Sequence, residues 1–230
     1  MEKALNNHSL AKARALYDES LRASTQQERE RLLNLALEAF PDHVDAIVDL
    51  GLCRYGQSQY QKARELMSRA VDLQPRSSRI LAYLALATGR IDSEDGERLF
   101  LRAIALQEDH REFAHLLYGK FLWLHGRRTE AIEECKKALA IDSSFVPALR
   151  NLADLLSWFD RDKEADELYR QALRAAPDNR LTHYRYGRFL AQFRETAEQA
   201  RKYLRRASEQ GVEAAAEEMR QLEEEDWTDC

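Results

Sequence analysis

Apolar residues recur along this chain at the spacing of amphipathic helices. One recurring frame holds two alanines seven residues apart with another packing residue between them, so that all three share one helical face. The frame occurs as Ala63, Met67 and Ala70, as Ala131, Cys135 and Ala138, and as Ala165, Tyr169 and Ala172. The pattern predicts an amphipathic helix at each place.

A second pattern pairs a large residue with a small one every 34 residues. The pairs are Leu50-Gly51, Leu84-Ala85, Tyr118-Gly119, Leu152-Ala153 and Tyr186-Gly187. Pro41, Pro75 and Pro177 keep the same interval, being 34 and three times 34 residues apart. A small residue allows two helices to approach closely, and proline ends a helix because it cannot continue the hydrogen-bond ladder. The sequence therefore predicts a repeated unit of two helices.

The order of large-small pair, Ala, apolar or aromatic residue, Ala and Pro on this period resembles the tetratricopeptide repeat. The fullest match is 146–179, followed by 44–77. The frame shifts by one residue in the third unit, at Gly96, and in the sixth, at Ala200. We predict six repeats within residues 1–211, at 10–43, 44–77, 78–111, 112–145, 146–179 and 180–211, then a capping helix at 212–224 and an acidic tail at 225–230.

The resemblance implies an all-α chain, folded as a right-handed α-solenoid of antiparallel helix pairs. Composition agrees, since 8 glycines and 4 prolines are few for 230 residues. The predicted capping helix would cover the last apolar face with one stripe of residues, Val212, Ala215, Ala216, Met219 and Leu222.

Charge is mild overall but unevenly distributed. The net charge of −5 favours neither nucleic-acid binding nor disorder. Residues 180–206 hold eight Lys or Arg against two Glu, whereas 207–230 hold nine acidic residues against one Arg. One hypothesis is that the acidic tail around Trp227 folds back onto the basic sixth repeat; the alternative is a solubilising tail.

The amino-terminal residues show no signal-peptide pattern, and no window approaches the roughly 18 apolar residues of a membrane span. The three cysteines, Cys53, Cys135 and Cys230, are odd in number and widely spaced. We therefore expect a reduced, cytoplasmic location and no membrane contact. Cys53 and Cys135 are predicted to be small buried packing residues.

The resemblance also implies a concave groove, lined by the first helix of each repeat, that binds a partner protein or peptide. Tyr, Trp and Arg at inward positions are typical of binding sites. Alternatively, Trp123 and Trp158 pack against the next repeat and the arginines form a solvated face. The predicted groove residues are Tyr55, Tyr83, Phe113, Lys120, Trp123, Arg150, Asn151, Trp158, Tyr184, Arg185 and Arg188.

Some members of this family act as co-chaperones and hold the terminal carboxylate of a chaperone tail with a clamp of Lys, Asn, Asn, Lys and Arg. Here only Asn151 and Arg185 match, whereas Leu116, Lys120 and Leu181 depart from the pattern. The resemblance therefore does not predict that co-chaperone role. An anionic peptide segment could still bind through the basic residues, which are Lys120, Arg150, Arg185 and Arg188.

No HExxH, GxGxxG, Walker-type or GxSxG motif is present, so we expect no catalytic residue, no metal and no cofactor. The sequence predicts a non-catalytic adaptor or scaffold within a multiprotein assembly; it does not specify the partner or the oligomeric state. The alternative is an RNA-associated scaffold, because the sixth repeat also resembles the half-a-tetratricopeptide (half-a-TPR) repeats of RNA-processing scaffolds. It would use the aromatic residues among the arginines of the sixth repeat, Tyr184, Tyr186, Phe189, Phe193 and Tyr203.

Overall fold

The structure is a computed structural model that describes residues 2–106 and 110–224. Within these ranges the chain forms thirteen α-helices, a short 3₁₀ turn at Arg194–Thr196 and no strand, which confirms the all-α prediction. The helices are α1 Glu2–Ser20, α2 Gln26–Ala39, α3 Val44–Gly56, α4 Tyr60–Leu73, α5 Ser78–Thr88, α6 Ser93–Ala105, α7 Arg111–Leu124, α8 Arg128–Ile141, α9 Val146–Trp158, α10 Asp162–Ala175, α11 Arg180–Leu190, α12 Ala197–Glu209 and α13 Glu213–Glu224. The division into six repeats and a cap stays a prediction, and the acidic tail at 225–230 lies outside the described residues.

Helix ends follow the period seen in the sequence. His43, Ser77 and Asn179 occupy one position of the 34-residue frame, and each side chain accepts a hydrogen bond from a backbone N–H of the helix that follows it. Asn179 does so as the first residue after the Pro177-Asp178 turn, where α10 has ended at Ala175. The sequence thus encodes the starts of these helices with polar caps.

The turns within helix pairs repeat as well. Ser58, Gly126 and Asp160 all have left-handed backbone angles, with φ of 59°, 76° and 57°. The N–H of the following residue bonds back to a carbonyl five positions earlier, as in Gln59 to Arg54 at 2.9 Å. This is the bonding of a Schellman motif, which ends a helix and reverses the chain.

The chain divides into two compact units, residues 1–121 and 122–230, with the boundary inside α7. In the first unit α1 packs with α2, α3 with α4 and α5 with α6. One apolar cluster centres on Leu33, Ala36 and Leu50, and a second on Ile47, Met67 and Ile80. Burial of these side chains is the main favourable contribution to folding of the unit.

Small residues in the first unit mark close contacts between paired helices. A Cβ at Gly51 would lie 2.7 Å from Cε of Met67 on α4. Gly96 on α6 is tighter, since a Cβ there would lie 2.4 Å from the backbone Cα of Gly89. The shifted frame of the third repeat thus has a physical reason: the residue against Gly89 must be glycine, and Phe100 and Ala103 continue its buried face.

In the second unit α9 packs with α10, α11 with α12, and α12 with α13. The buried ring of Tyr169 on α10 stacks against Tyr186 on α11 at 5.2 Å between centroids. Ala200, Leu204 and Ala207 form the buried face of α12, in the frame shifted by one residue that the sequence predicts. A Cβ at Gly187 would lie 2.8 Å from Cγ of Leu204, so this small residue also marks a close contact.

Candidate functional site

The predicted groove residues of the first unit do not gather at one cavity. Tyr83 and Phe113 meet edge to face, with ring centroids 5.3 Å apart. Tyr55 instead meets Tyr60 at 5.4 Å, and Lys120 is exposed on α7. Burial raises the pKa of the Tyr55 and Tyr83 hydroxyls, as expected for half-buried rings.

A cavity of about 420 Å³ in the first unit is lined by residues that include Arg29, Asp49 and Cys53. Arg29 Nη2 lies 2.8 Å from Asp49 Oδ2, so each of these charges has an opposite partner. Cys53 is partly exposed, which corrects the prediction that it is buried, whereas Cys135 is fully buried as predicted. Burial raises the pKa of the Cys53 thiol, and a protonated thiol is a poor nucleophile.

The second unit brings polar and charged groups of α9, α10 and α11 together at Asp154. The Tyr169 hydroxyl donates a hydrogen bond to Asp154 Oδ1, and Arg185 Nη1 lies 3.5 Å from Oδ2. Burial raises the pKa of the Asp154 carboxyl, and the hydrogen bond from Tyr169 and the charges of Arg185 and Arg150 oppose that rise. Asp154 is therefore a fixed acceptor that orients Arg185.

Arg150 adds a second positive charge one turn before Asp154 on α9. Burial lowers the pKa of its guanidinium, the charge of Arg185 acts in the same direction, and the charge of Asp154 opposes the fall. Asn151 points elsewhere, since its Nδ2 donates to Cys135 Sγ on α8 at 3.1 Å. Of the two residues that match the carboxylate clamp, only Arg185 belongs to the charged group around Asp154.

Arg188, one turn after Arg185 on α11, contacts α13. Its Nε lies 2.7 Å from Glu218 Oε1, and the Tyr184 hydroxyl donates to the same oxygen at 3.3 Å. The Arg188 guanidinium also lies 5.7 Å from the centre of the Tyr184 ring. Three residues of the predicted groove, Tyr184, Arg185 and Arg188, thus lie on one helix within reach of α9 or α13.

Several of these residues line a cavity of about 570 Å³, named here the α9–α11 cavity. Its wall includes Asp154, Trp158, Tyr169, Arg185, Arg188 and Glu218, together with Gln221 and Leu222 of α13. The side chains of Arg185 and Arg188 are each 47 % exposed. A guanidinium has five N–H donors, and each of these two uses one nitrogen in its ion pair. Both arginines therefore keep donors for an additional anion.

An aromatic cluster adjoins this cavity at Trp158, which is 50 % exposed. Trp158 meets Trp123 edge to face at 5.3 Å and Phe159 at 5.1 Å. The guanidinium of Arg128 lies 3.7 Å from the centre of the Trp158 ring and 5.3 Å from that of Trp123. The two tryptophans thus pack against each other, and Trp158 still presents half of its surface.

Sequence reasoning did not select Tyr169, Glu218 or Arg128 for this site. The sequence predicts a packing role for Tyr169; its ring is buried as predicted, and its hydroxyl also reaches Asp154. The sequence could have indicated Glu218, because this residue follows Tyr184 by 34 residues, which is one repeat period. The hypothesis about Trp227 and the tail concerns residues outside the described part of the chain.

Paired helices, periodic caps and a ligand-sized cavity between first helices define a helical-repeat protein. A family model described as tetratricopeptide repeat matches residues 30–78, 48–93 and 80–144, which together cover half of the chain. The chain belongs to the tetratricopeptide repeat family. Proteins of this family generally mediate protein–protein interactions, and their repeats are generally non-catalytic.

Solved structures share the fold at low sequence identity. Yeast Tom70 matches 93 % of this chain at 16 % identity and a TM-score of 0.69, over 46 % of its own length. Pseudomonas aeruginosa pilF matches 78 % at 20 % identity and a TM-score of 0.57, over 86 % of its length. The human IFIT1 dimer with PPP-AAAA matches 79 % at 17 % identity and a TM-score of 0.60, over 45 % of its length.

This chain therefore spans less than half of the Tom70 and IFIT1 chains. No curated protein sequence matches it. In the part of the chain that the structure describes, no helix is long and apolar enough to cross a membrane.

Proposed function

We propose that this protein is a non-catalytic adaptor that binds a partner through an acidic peptide segment seated in the α9–α11 cavity. The observation that carries the proposal is the pair of half-exposed guanidinium groups, Arg185 and Arg188, with unused donors beside the exposed ring of Trp158. Arginine binds carboxylates through two parallel hydrogen bonds, and Trp and Arg concentrate binding energy at interfaces.

The cavity favours an anionic group over a cation. Its acceptors, Asp154 and Glu218, are already engaged by Tyr169, Arg185, Tyr184 and Arg188, so they position the arginines instead of attracting a cation. Arg150 adds positive charge near Asp154, behind the residues that line the cavity. An acidic side chain would then bind the arginines while a neighbouring apolar side chain contacts Trp158. Such a partner would meet a groove whose walls are held by helix packing, and this lowers the ordering cost of binding.

The groove residues of the first unit, Tyr55, Tyr83, Phe113 and Lys120, are proposed as a second contact region for the same partner. Tyr83 and Phe113 supply a paired aromatic surface there. Asn151 and Trp123 are proposed to act indirectly, because Asn151 is bonded to Cys135 and Trp123 supports Trp158. We place this adaptor in the cytoplasm, on the cysteine usage of the chain.

The test is capture of partners by the full chain and by the double variant Arg185→Glu/Arg188→Glu, followed by mass spectrometry. Arg205→Glu is the matched control, since Arg205 is exposed on α12 and does not line the cavity. We expect the double variant to lose a partner that the control retains. Binding of synthetic acidic peptides should fall at least about tenfold in the double variant. Unchanged capture and unchanged peptide binding would reject the proposal.

The RNA-associated alternative has less support. Tyr186 and Phe189 are buried in the stack with Tyr169, and Tyr203 packs on Tyr186 at 4.8 Å, so these faces are not available to bases. The likeness to IFIT1, which was solved with PPP-AAAA, is a likeness of fold. A single-stranded RNA that binds the full chain, with affinity falling steeply as salt rises and falling again in Arg185→Glu/Arg188→Glu, would favour this alternative.

A further inference from the structure

The α9–α11 cavity lies beside the point where the described chain stops. Gln221 and Leu222 of α13 line it, and α13 ends at Glu224. The residues that follow, 225–230, read EDWTDC and carry three carboxylates around one tryptophan. The cavity therefore has a candidate ligand tethered at its rim.

The reach of this segment is sufficient. Trp227 is the third residue after Glu224, where α13 ends, and three extended residues span up to about 11 Å. That distance is comparable to the span of the cavity itself, since a compact space of about 570 Å³ is roughly 10 Å across. A short tether also holds a ligand at an effective concentration on the order of millimolar.

The chemistry of the segment matches the cavity on two counts. Glu225, Asp226 and Asp229 are anions for the unused donors of the arginines, and the Trp227 indole is an aromatic partner for Trp158. The helix before the segment already makes one contact of this kind, because Glu218 binds Arg188 and Tyr184. Residues 225–230 would extend a contact that α13 begins.

We propose that residues 225–230 are an intramolecular ligand of the α9–α11 cavity, with their carboxylates on Arg185 and Arg188 and Trp227 against Trp158. The proposal rests on the proposed function, since it takes the same cavity to be the site for acidic segments. A partner peptide must then displace the segment, so the chain carries its own competitor.

The experiment uses two full-length proteins and one probe. The first protein is the unaltered chain, and the second is a neutral-tail variant with Glu225→Gln, Asp226→Asn, Trp227→Ala and Asp229→Asn. The probe is a fluorescein-labelled peptide, EEEDWTDS, which copies residues 223–230 with serine in place of cysteine. Fluorescence anisotropy at low ionic strength measures its binding, because screening by salt weakens contacts between exposed charges.

We expect the neutral-tail variant to bind the probe about tenfold more tightly than the unaltered chain, since its own segment no longer competes. Adding Arg185→Glu to the variant should remove this gain, and adding Arg205→Glu should not. A probe with alanine in place of tryptophan should bind about tenfold more weakly, as loss of an aromatic anchor predicts. Equal affinity of the two full-length proteins for the probe would overturn the proposal.

Failure here is distinguishable from failure of the proposed function. An unrelated acidic peptide, titrated against the same two proteins, provides the comparison. If the unrelated peptide binds both proteins equally, and its binding depends on Arg185 and Arg188, the intramolecular ligand is rejected and the adaptor site stands. If neither protein binds the probe or the unrelated peptide, both proposals are rejected.

Discussion

Arg188 on α11 and Glu218 on α13 are joined by an ion pair of 2.7 Å at the wall of the α9–α11 cavity. The Glu218 side chain is 28 % exposed, so water screens the pair only in part. A carboxylate of this chain therefore already occupies one edge of the arginine that we propose for partner binding.

Glu218→Gln should tighten binding of acidic peptides, because it frees Arg188 from its internal carboxylate while keeping the length of the side chain. We expect a gain of about threefold to tenfold at low salt, equivalent to about 0.6 to 1.4 kcal/mol. Glu217→Gln is the control on the same helix, where Glu217 pairs with the exposed Arg220 at 2.5 Å. Peptide titrations check the difference; an equal gain in both variants would show a general effect of net charge and contradict a local role for Glu218.

The contact between α5 and α6 gives a prediction for stability. Gly96→Ala should destabilise the first unit by about 1 to 3 kcal/mol, because the added Cβ would meet the backbone of Gly89, which cannot rotate away. Gly56→Ala is the control: a Cβ at Gly56 meets no atom within 4 Å, and alanine is the better helix former. Thermal unfolding followed by circular dichroism measures both. A Gly96→Ala protein as stable as Gly56→Ala would refute the close contact.

The repeat could be predicted because its signals are local and recur. Helix caps such as Ser77 and Asn179, and close contacts such as Gly51 with Met67, follow from residue type and spacing alone. Even the one-residue shift at Gly96 was visible, although its cause, the approach to Gly89, required coordinates. Periodicity constrains which face of a helix is buried, and this is most of what specifies the helix pairs.

The site could be predicted only in part, because it depends on which side chains meet. Position in the repeat indicated Arg185 and Arg188, but not that Asp154 and Glu218 would orient them. The same reasoning grouped Asn151 with Arg185, whereas its amide binds Cys135. Long side chains choose among several rotamers, and neighbouring charges decide that choice after the backbone is fixed.

Trp158→Ala should weaken partner binding at a moderate cost in stability. Half of the Trp158 side chain is exposed, so we expect a loss of stability of about 1 to 2 kcal/mol, from the contacts with Trp123, Phe159 and Arg128. Affinity for an acidic peptide with an aromatic residue should fall about tenfold. Leu181→Ala is the control, since Leu181 is 47 % exposed on α11 but does not line the cavity. Equal affinity losses in the two variants would exclude a specific contact at Trp158.

His183 on α11 gives a prediction for pH dependence in the second unit. The residue is 2 % exposed, its Nε2 lies 2.8 Å from the Pro177 carbonyl, and its Nδ1 is buried without a partner. Burial lowers the pKa of the imidazole, with the nearby Arg206 acting in the same direction and the Pro177 carbonyl and Asp178 opposing it. The neutral ring therefore donates from Nε2 to the carbonyl, and a second proton on Nδ1 would be a buried charge.

The sign of the effect follows from proton binding. Below the ordinary histidine pKa of about 6.5 the unfolded chain takes up a proton that the folded chain does not, so stability falls as pH falls towards the lowered pKa. One such group contributes up to about 1.4 kcal/mol per pH unit in that window. His183→Gln should remove this contribution and leave a shallower dependence between about pH 7.5 and pH 5.5.

Urea unfolding followed by tryptophan fluorescence measures this contribution, because Trp123 and Trp158 lie in the second unit and residues 1–121 contain no tryptophan. Comparing the unaltered chain with His183→Gln at about pH 8 gives the packing cost of the substitution, since the imidazole is neutral there in both the folded and the unfolded chain. The same comparison at about pH 5.5 adds the effect of titration, so the change in the stability difference between the two pH values isolates the contribution of His183. If the variant loses as much stability on acidification as the unaltered chain, the buried imidazole is not the group that couples protons to folding.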